Sequence, residues 1–224
     1  MSFLHVALFP YSEELFSMDW KSPLLSSVDE LLLLQPGDSG LSRQSVPDLA
    51  EERGAWLAAG PFPDMGDISV FDDTGKELLL YESMHGPGLT AAAHRAFASF
   101  SAGDFRCGLS SGWDILFPEH ARLHALSGTD ILCVFASRET SDRFPLGEIC
   151  RVRAAENQFY VALAAPDPCG GPFWGPEGPL PLLPAEERTG KRVLLSRTEL
   201  RDSRKRLPLL ALRRKREYSS LAFL

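Results

Sequence analysis

The chain has 224 residues and a mass of 24.7 kDa, with 44% hydrophobic and 24% charged residues. This composition is typical of a globular protein with a buried core and excludes an intrinsically disordered chain. The 23 basic and 30 acidic residues give a formal net charge of −7, which argues against general affinity for nucleic acid. Because we find no linker and no internal repeat, we expect a single domain over residues 1–224.

Two further classes of protein are excluded at this stage. No apolar run reaches the roughly 18 residues that span a bilayer, and the opening MSFLHVALFPYSEE lacks the basic region of a signal peptide.

The cysteines form no CxxC pair, which argues against a zinc site or a disulfide framework. They are Cys107, Cys133, Cys150 and Cys169. We therefore expect buried free thiols, a cytoplasmic location, no metal and no other cofactor.

Short apolar segments bounded by Gly, Pro or Asp predict eight strands. They span residues 4–9, 30–35, 55–60, 68–72, 77–82, 105–111, 130–137 and 158–165. Several are apolar throughout, which favours strands that are covered on both faces. The turn at 72–75 predicts that the strands on either side of it form a hairpin.

Three segments show helical spacing of apolar residues. The first covers residues 89–100, with Leu89, Ala93 and Phe97 on one stripe. The second covers residues 118–128, with Ala121, Leu123 and Leu126 expected to face inward. The third covers residues 144–158, with Leu146, Ile149, Val152 and Ala155 expected to face inward. Strands that alternate with helices in this way predict a layered α/β or α+β fold.

Two later segments have unusual compositions. Residues 166–184 are rich in Pro and Gly and contain Phe173 and Trp174, so we expect an ordered irregular loop with both aromatic rings buried. Residues 188–217 hold 12 basic and 3 acidic residues. We interpret residues 188–224 as an arm that packs on the acidic N-terminal half, which carries 16 acidic and 5 basic residues over 1–104, or on a second subunit.

The order of motifs along the chain resembles the nitrilase, or carbon–nitrogen hydrolase, superfamily. Residues 108–122 resemble its nucleophile elbow, with Trp113-Asp114 followed by Phe117-Pro118-Glu119. Residues 127–132, 151–161, 68–77 and 209–218 resemble further motifs of the superfamily in the same order. The resemblance implies an α+β fold, a four-layer α-β-β-α sandwich, and a homodimer assembled through the flanking helices and the C-terminal arm.

The resemblance also implies where catalytic residues would lie. The superfamily uses a Cys nucleophile, a Glu general base and a Lys that stabilises the developing negative charge. The motifs place the nucleophile position at Gly112, the lysine position at Ser83 and the glutamate position at Gly37. All three catalytic side chains are therefore missing in this alignment, which implies a degenerate triad.

Several other residues are candidates to replace the missing triad. Cys107 is expected to be an inert buried thiol, and Ser111 is expected to point away from the pocket because neighbouring strand residues face opposite sides. Ser110, His85 and His120 are weaker alternatives. Glu119, Arg122, Glu156 and Asn157 match residues that support the elbow. As lining for a ligand pocket we name Trp113, His85, Ser111 and Ser137.

Three functions remain open from the sequence. The first is a binding or partner subunit without amidase or nitrilase activity, acting as a homodimer that holds a small-molecule ligand and binds neither nucleic acid nor membrane. The second is a carbon–nitrogen hydrolase or acyltransferase with relocated catalytic residues. The third is an interaction protein that binds a macromolecule through the basic arm, which a salt-dependent binding assay would test.

Overall fold

The computed structural model describes residues 2–10, 28–35, 43–62, 67–87, 97–166, 173–183, 190–214 and 216. Six strands form the first sheet. They are β1 (Phe3–Pro10), β2 (Asp29–Gln35), β3 (Trp56–Ala59), β4 (Ile68–Phe71), β5 (Glu77–Tyr81) and β12 (Lys191–Ser196). Their order is β12-β1-β2-β3-β4-β5, with β1, β2 and β3 parallel and the other pairs antiparallel.

The second sheet also has six strands. They are β6 (Ser99–Ala102), β7 (Phe105–Ser111), β8 (Ile131–Phe135), β9 (Tyr160–Ala164), β10 (Phe173–Gly175) and β11 (Gly178–Pro179). Their order is β11-β10-β9-β8-β7-β6, with β7, β8 and β9 parallel. Parallel strands are covered on both faces, which explains their nearly continuous apolar sequences.

Five α-helices lie in the described part of the chain. They are α1 (Val46–Arg53), α2 (Pro118–Leu126), α3 (Arg138–Arg143), α4 (Leu146–Asn157) and α5 (Arg197–Arg206). Short 3-10 helices cover Arg43–Ser45 and Asp114–Leu116. None of the helices in the described part of the chain combines the length and the apolar composition that a membrane span requires.

Three apolar clusters define four layers. The central cluster fills the space between the sheets and includes Leu31, Tyr81 and Phe105. A second cluster packs α1 on the outer face of the first sheet. A third packs α2 and α4 on the outer face of the second sheet and includes Trp174. The predicted α-β-β-α sandwich is confirmed.

The structure confirms the hairpin at residues 68–82, where β4 and β5 pair with a bulge between Val70 and Phe71. Asp72 Oδ1 accepts hydrogen bonds from the backbone N–H groups of Thr74 and Lys76, at 3.0 Å each. Phe173 and Trp174 are buried as expected. The expectation of an irregular loop is wrong there, because residues 173–179 form the β10–β11 hairpin.

The buried faces of the predicted helices differ from the expectation. In α2 the buried residues are His120, Ala121, His124 and Ala125, whereas Leu123 and Leu126 are about half exposed. The two alanines let the helix approach the sheet closely, and the imidazoles cover β7. In α4 the buried residues are Leu146, Cys150, Arg153, Ala154 and Asn157. Val152 and Ala155 face outward.

The first predicted helix needs correction, whereas the first part of the arm packs where it was expected. Residues 88–96 lie outside the described residues, and Ser99 and Phe100 belong to β6, so a helix cannot extend to residue 100. Residues 191–206 form β12 and α5. Strand β12 pairs with β1 of the N-terminal half, in agreement with the expected packing of the arm, while α5 contributes Leu200 to the central cluster and contacts the segment before β8. Asp130 holds it there through Arg197 Nε at 3.4 Å and Arg204 Nη1 at 3.0 Å.

Candidate functional site: the turn after strand β7

A tight turn connects β7 to the helical segment after it. The strand ends at Ser111, Gly112 and Trp113 form the turn, and the 3-10 helix begins at Asp114. The Gly112 N–H donates to the Phe135 carbonyl oxygen at 2.8 Å, which ties the turn to the end of β8. Phe117 is extended and Pro118 begins α2, a position where its missing N–H costs nothing. The expected strand-to-helix turn at Gly112 is therefore present.

The space beside Gly112 is occupied. A Cβ added at this residue would lie 2.4 Å from Thr140 Oγ1 and 3.2 Å from Ala136 Cα. Gly112 does not have the left-handed backbone that requires glycine, so steric crowding is what excludes a side chain. The position that resembles the nucleophile is closed by α3 and the end of β8.

The obstacle at Gly112 is held firmly in place. Thr140 is buried in the first turn of α3, and Ser137 caps that helix by accepting a hydrogen bond from the Thr140 N–H at 3.3 Å. Thr140 Oγ1 donates to the Ser137 carbonyl oxygen at 3.0 Å. From the first sheet, Gln35 Nε2 donates to the Ala136 carbonyl oxygen at 3.0 Å. The ends of β2 and β8 therefore meet beside Gly112.

A single carboxylate organises the other side of the turn. Asp114 is fully buried and accepts hydrogen bonds from the backbone N–H groups of Met84 and His85, at 3.1 and 2.8 Å. The hydroxyls of Tyr81 and Ser83 also bind this carboxylate, Ser83 at 3.0 Å. Asp114 therefore fixes the segment after β5 against the turn after β7. We call Asp114 and these partners the Asp114 cluster.

Ser111 belongs to the same cluster. Its Oγ lies 2.8 Å from Asp114 Oδ2 and 2.7 Å from Ser83 Oγ. Ser111 and Gly112 face opposite sides, since Ser111 faces Ser83 while a side chain at Gly112 would face Thr140. The lysine position is therefore adjacent to Ser111, on the opposite side from the space beside Gly112.

The hydrogen bonds determine the charge of the Asp114 cluster. Burial raises the pKa of Asp114, but hydrogen bonds from Tyr81, Ser111 and His85, together with His120, outweigh it and lower the pKa below its ordinary value. Burial and the nearby carboxylate raise the pKa of Tyr81 above its ordinary range. The cluster therefore holds an ionised aspartate and a neutral tyrosine near neutral pH.

The four residues named as pocket lining separate into two groups. His85 and Ser111 both contact Asp114, with His85 Nδ1 at 2.8 Å from Oδ1 and its ring stacked on Phe117 at a centroid distance of 3.8 Å. Trp113 makes an edge-to-face contact with Phe144 at 5.6 Å. Ser137 caps α3. Gly112 and Thr140 lie between the two groups.

Three of the remaining candidates are buried. Cys107 is fully buried between the sheets, and burial raises its pKa well above the ordinary value; Cys133 and Cys150 are also free and buried. Ser110 is fully buried, and its hydroxyl donates to the Ser111 carbonyl oxygen at 3.2 Å. His120 is buried on α2 and faces the Leu109 carbonyl oxygen.

Other sequence candidates lie apart from the turn. Gly37 and Cys169 lie outside the described residues. Arg122 on α2 donates to the Glu156 carbonyl oxygen and so links α2 to α4, whereas Asn157 donates to the Arg153 carbonyl oxygen within α4. Glu119 is exposed, against the expectation of a buried partner. Within the described ranges, no group of three or more His, Cys, Asp or Glu side chains is placed to hold a metal ion.

Several residues that define this site were not predicted from the sequence. Tyr81 and Thr140 each make contacts that no local sequence motif predicts. Gln35 was predicted only as the end of a strand, although its side chain also donates to the Ala136 carbonyl oxygen after β8. Asp114 was identified only as part of the elbow motif, because its contacts with Met84 and His85 depend on tertiary structure.

Two curated proteins resemble the chain in sequence, and no family model matches it. One is a hydrolase encoded in the pqqF 5' region of Pseudomonas protegens, 27% identical over 143 residues, which cover 58% of this chain and 50% of that protein. The other is the omega-amidase NIT2 of Mus musculus, 28% identical over 146 residues, covering 57% and 53%. The chain thus spans about half the length of these relatives.

Solved structures match nearly the whole chain. A carbon–nitrogen hydrolase from Helicobacter pylori superposes with a TM-score of 0.72 at 18% identity, covering 98% of this chain and 97% of that one. A Nesterenkonia amidase with acrylamide added to its active-site cysteine superposes with a TM-score of 0.60 at 22% identity, covering 95% and 100%. The chain has the fold of the nitrilase, or carbon–nitrogen hydrolase, superfamily, and the resemblance inferred from the motifs is confirmed.

Proposed function

We propose that this protein is a nitrilase-fold protein that binds a ligand or a protein partner and does not hydrolyse amides or nitriles. The observation that carries the proposal is the closed position at Gly112. A nucleophile needs both an attacking atom and room to approach a carbonyl or nitrile carbon. Gly112 has no side chain, and Thr140 occupies the space that a side chain would enter.

The charge near Ser83 supports the same proposal. An oxyanion that develops during hydrolysis is stabilised by a positive charge or by hydrogen-bond donors aimed at it. Ser83 is neutral, and its hydroxyl lies 3.0 Å from the ionised Asp114 carboxylate. The electrostatic potential at this position is therefore negative, and it would destabilise the negative charge of a developing oxyanion.

The alternative is an enzyme that uses Ser111 as a relocated nucleophile. The observation in its favour is that Ser111, Asp114 and His85 are in contact. In a Ser-His-Asp relay, however, the serine hydroxyl is bonded to the imidazole, which takes its proton. Here the hydroxyl and the imidazole both bind the carboxylate. The lowered pKa of Asp114 makes that carboxylate a weak base.

We expect no turnover of simple amides or nitriles, including ω-amide substrates of the kind that the mouse relative's name indicates. The measurement is ammonia release at micromolar enzyme, with an active carbon–nitrogen hydrolase as positive control. Ammonia release by the unmodified protein would contradict the proposal. If Ser111→Ala abolished that release and Cys107→Ala left it intact, Ser111 would be the relocated nucleophile. Release abolished by Cys107→Ala would identify a thiol enzyme instead.

A ligand that remains with the purified protein would identify what the fold now binds. Native mass spectrometry of the full chain, followed by denaturing analysis of any excess mass, measures this directly.

The free and buried Cys107, Cys133 and Cys150 fit a reducing compartment. The cytosol is therefore the location that we propose. The ligand that we propose is a small molecule.

The assembly we propose is a homodimer formed through the outer faces of α2 and α4. Leu123, Leu126 and Val152 project from these helices with exposures of 48%, 51% and 52%. Large apolar side chains grouped on one outer layer are typical of an interface between subunits. The same helices pack on the second sheet through their other faces, so the outer faces are available to a second copy.

The homodimer gives a direct prediction. Sedimentation at high micromolar concentration should show a dimer, and Leu123→Glu combined with Leu126→Glu should shift it to a monomer because two carboxylates would be buried without partners. Leu78→Glu is the matched control, since Leu78 is 41% exposed on β5 of the other sheet. A monomeric wild-type chain at that concentration would contradict the proposal.

A further inference from the structure

Two histidines on the buried face of α2 share one backbone acceptor. His120 Nε2 lies 3.4 Å and His124 Nε2 lies 3.0 Å from the carbonyl oxygen of Leu109 in β7. The side chains are 2% and 0% exposed, and their ring centroids are 4.9 Å apart. A carbonyl oxygen only accepts, so each Nε2 carries the hydrogen and each neutral ring leaves Nδ1 without one.

Neither Nδ1 atom has a close hydrogen-bond acceptor that would stabilise an additional proton. Within the described residues, His120 Nδ1 is buried and has no hydrogen-bond partner. His124 Nδ1 has a long 3.5 Å contact with Thr129 Oγ1. A Cβ on Gly108 would lie 2.2 Å from His124 Nδ1, so the ring is packed directly against the strand backbone. An imidazolium at either position would be a desolvated cation.

The charged groups around the pair act in both directions. The Asp114 carboxylate favours a positive charge on either ring, whereas His85 opposes it at His120, and Arg106 and His120 oppose it at His124. Burial is the largest influence. It lowers the pKa of His120 and lowers the pKa of His124 to about 3, despite Asp114.

We propose that His120 and His124 form an acid-sensitive latch, in which protons taken up from solvent at the two Nδ1 atoms favour a state with α2 released from β7. Helix α2 directly follows the Gly112 turn and Asp114. Its release would loosen the Asp114 cluster and open the segment after β5. The inference rests on the contacts of α2 alone and does not depend on the proposed function.

The direction and size of the effect follow from proton linkage. In the released state the imidazoles are solvated and have a pKa near the ordinary value of about 6.5. The imidazole pKa is lower in the closed state than in the released state. The free energy that favours the closed state is therefore unaffected above pH 6.5 and decreases as the pH falls below that value. For His124 alone, the released population should rise about 30-fold between pH 8 and pH 5.

Hydrogen exchange of the full chain tests the latch. The N–H groups of Ser127, Gly128 and Thr129 close the end of α2 by donating to Leu123, Ala125 and His124 carbonyl oxygens. Their protection factors should fall about 30-fold or more from pH 8 to pH 5. The reference amides are Ala136 and Tyr160, which bond between β8 and β9, and their protection should fall much less. His120→Gln with His124→Gln should remove the pH dependence, since glutamine donates without titrating.

The outcomes are distinguishable. Protection at the end of α2 that does not change with pH would overturn the latch, as would an equal fall at Ala136 and Tyr160, which would indicate global unfolding. Persistence of the pH dependence in the double variant would also overturn it. If that variant fails to fold, imidazole NMR of the wild-type chain decides. Two closed-state rings that stay neutral at pH 5 support the latch, and ordinary titration near pH 6.5 refutes it.

Discussion

Replacing Asp114 with alanine should destabilise the protein by about 3–5 kcal/mol, because a buried acceptor of several hydrogen bonds is removed. The hydroxyls of Tyr81 and Ser111 and the N–H groups of Met84 and His85 would lose their partner. The measurement is the free energy of unfolding from urea denaturation at pH 7.

Two variants make the Asp114 result specific. Asp73→Ala is the control, since Asp73 is exposed in the hairpin turn and should change the free energy of unfolding by less than about 0.5 kcal/mol. Tyr81→Phe removes one donor and should cost about 1–2 kcal/mol. A loss below 1 kcal/mol for Asp114→Ala would show that the carboxylate does not organise the turn.

The second large effect is expected at Gly112. Gly112→Ala should destabilise the protein by about 1–3 kcal/mol, because the new methyl group would lie 2.4 Å from Thr140 Oγ1 in a packed site. Thr140→Ala removes that oxygen. The two substitutions should therefore couple, and the double variant should be at least about 1 kcal/mol more stable than the sum of the single effects predicts.

This double-mutant cycle also bears on the missing nucleophile. If Gly112→Ala is neutral, or if the two effects are additive, the space beside Gly112 is open and the main support for a non-catalytic protein is lost. Gly112→Cys alone should not produce amidase activity, because the side chain is crowded and Ser83 supplies no positive charge. The triple variant Gly37→Glu, Ser83→Lys, Gly112→Cys restores only the residue types and leaves Thr140 in place.

The order and type of most strands could be predicted from local sequence. Apolar segments bounded by Gly, Pro or Asp identify β1 to β5 and β7 to β9 because strand length and turn chemistry are local properties. Two missed helices also had local indications. Ser196 and Glu199 form a helix-start pattern for α5, and Gly54 provides the left-handed end of α1.

The buried faces of the helices could not be predicted in the same way. Hydrophobicity alone places Leu123 and Leu126 inward on α2, but the strand opposite offers Gly108, whose missing side chain accommodates the His124 ring. The role of Thr140 likewise depends on a residue 28 positions earlier in the chain. Such choices depend on tertiary packing, which overrides local pattern.

The pairing of β1 with β12 has a consequence for how the chain folds. Phe3 pairs with Ser196, so the first sheet is complete only after residue 196 has left the ribosome. Strands β7, β8 and β9 lie within residues 105–164 and can pair earlier, since contacts close in sequence form at lower entropic cost. Until β12 arrives, β1 presents an open edge to other chains. Substitutions that weaken β12 should therefore reduce soluble yield through aggregation during synthesis.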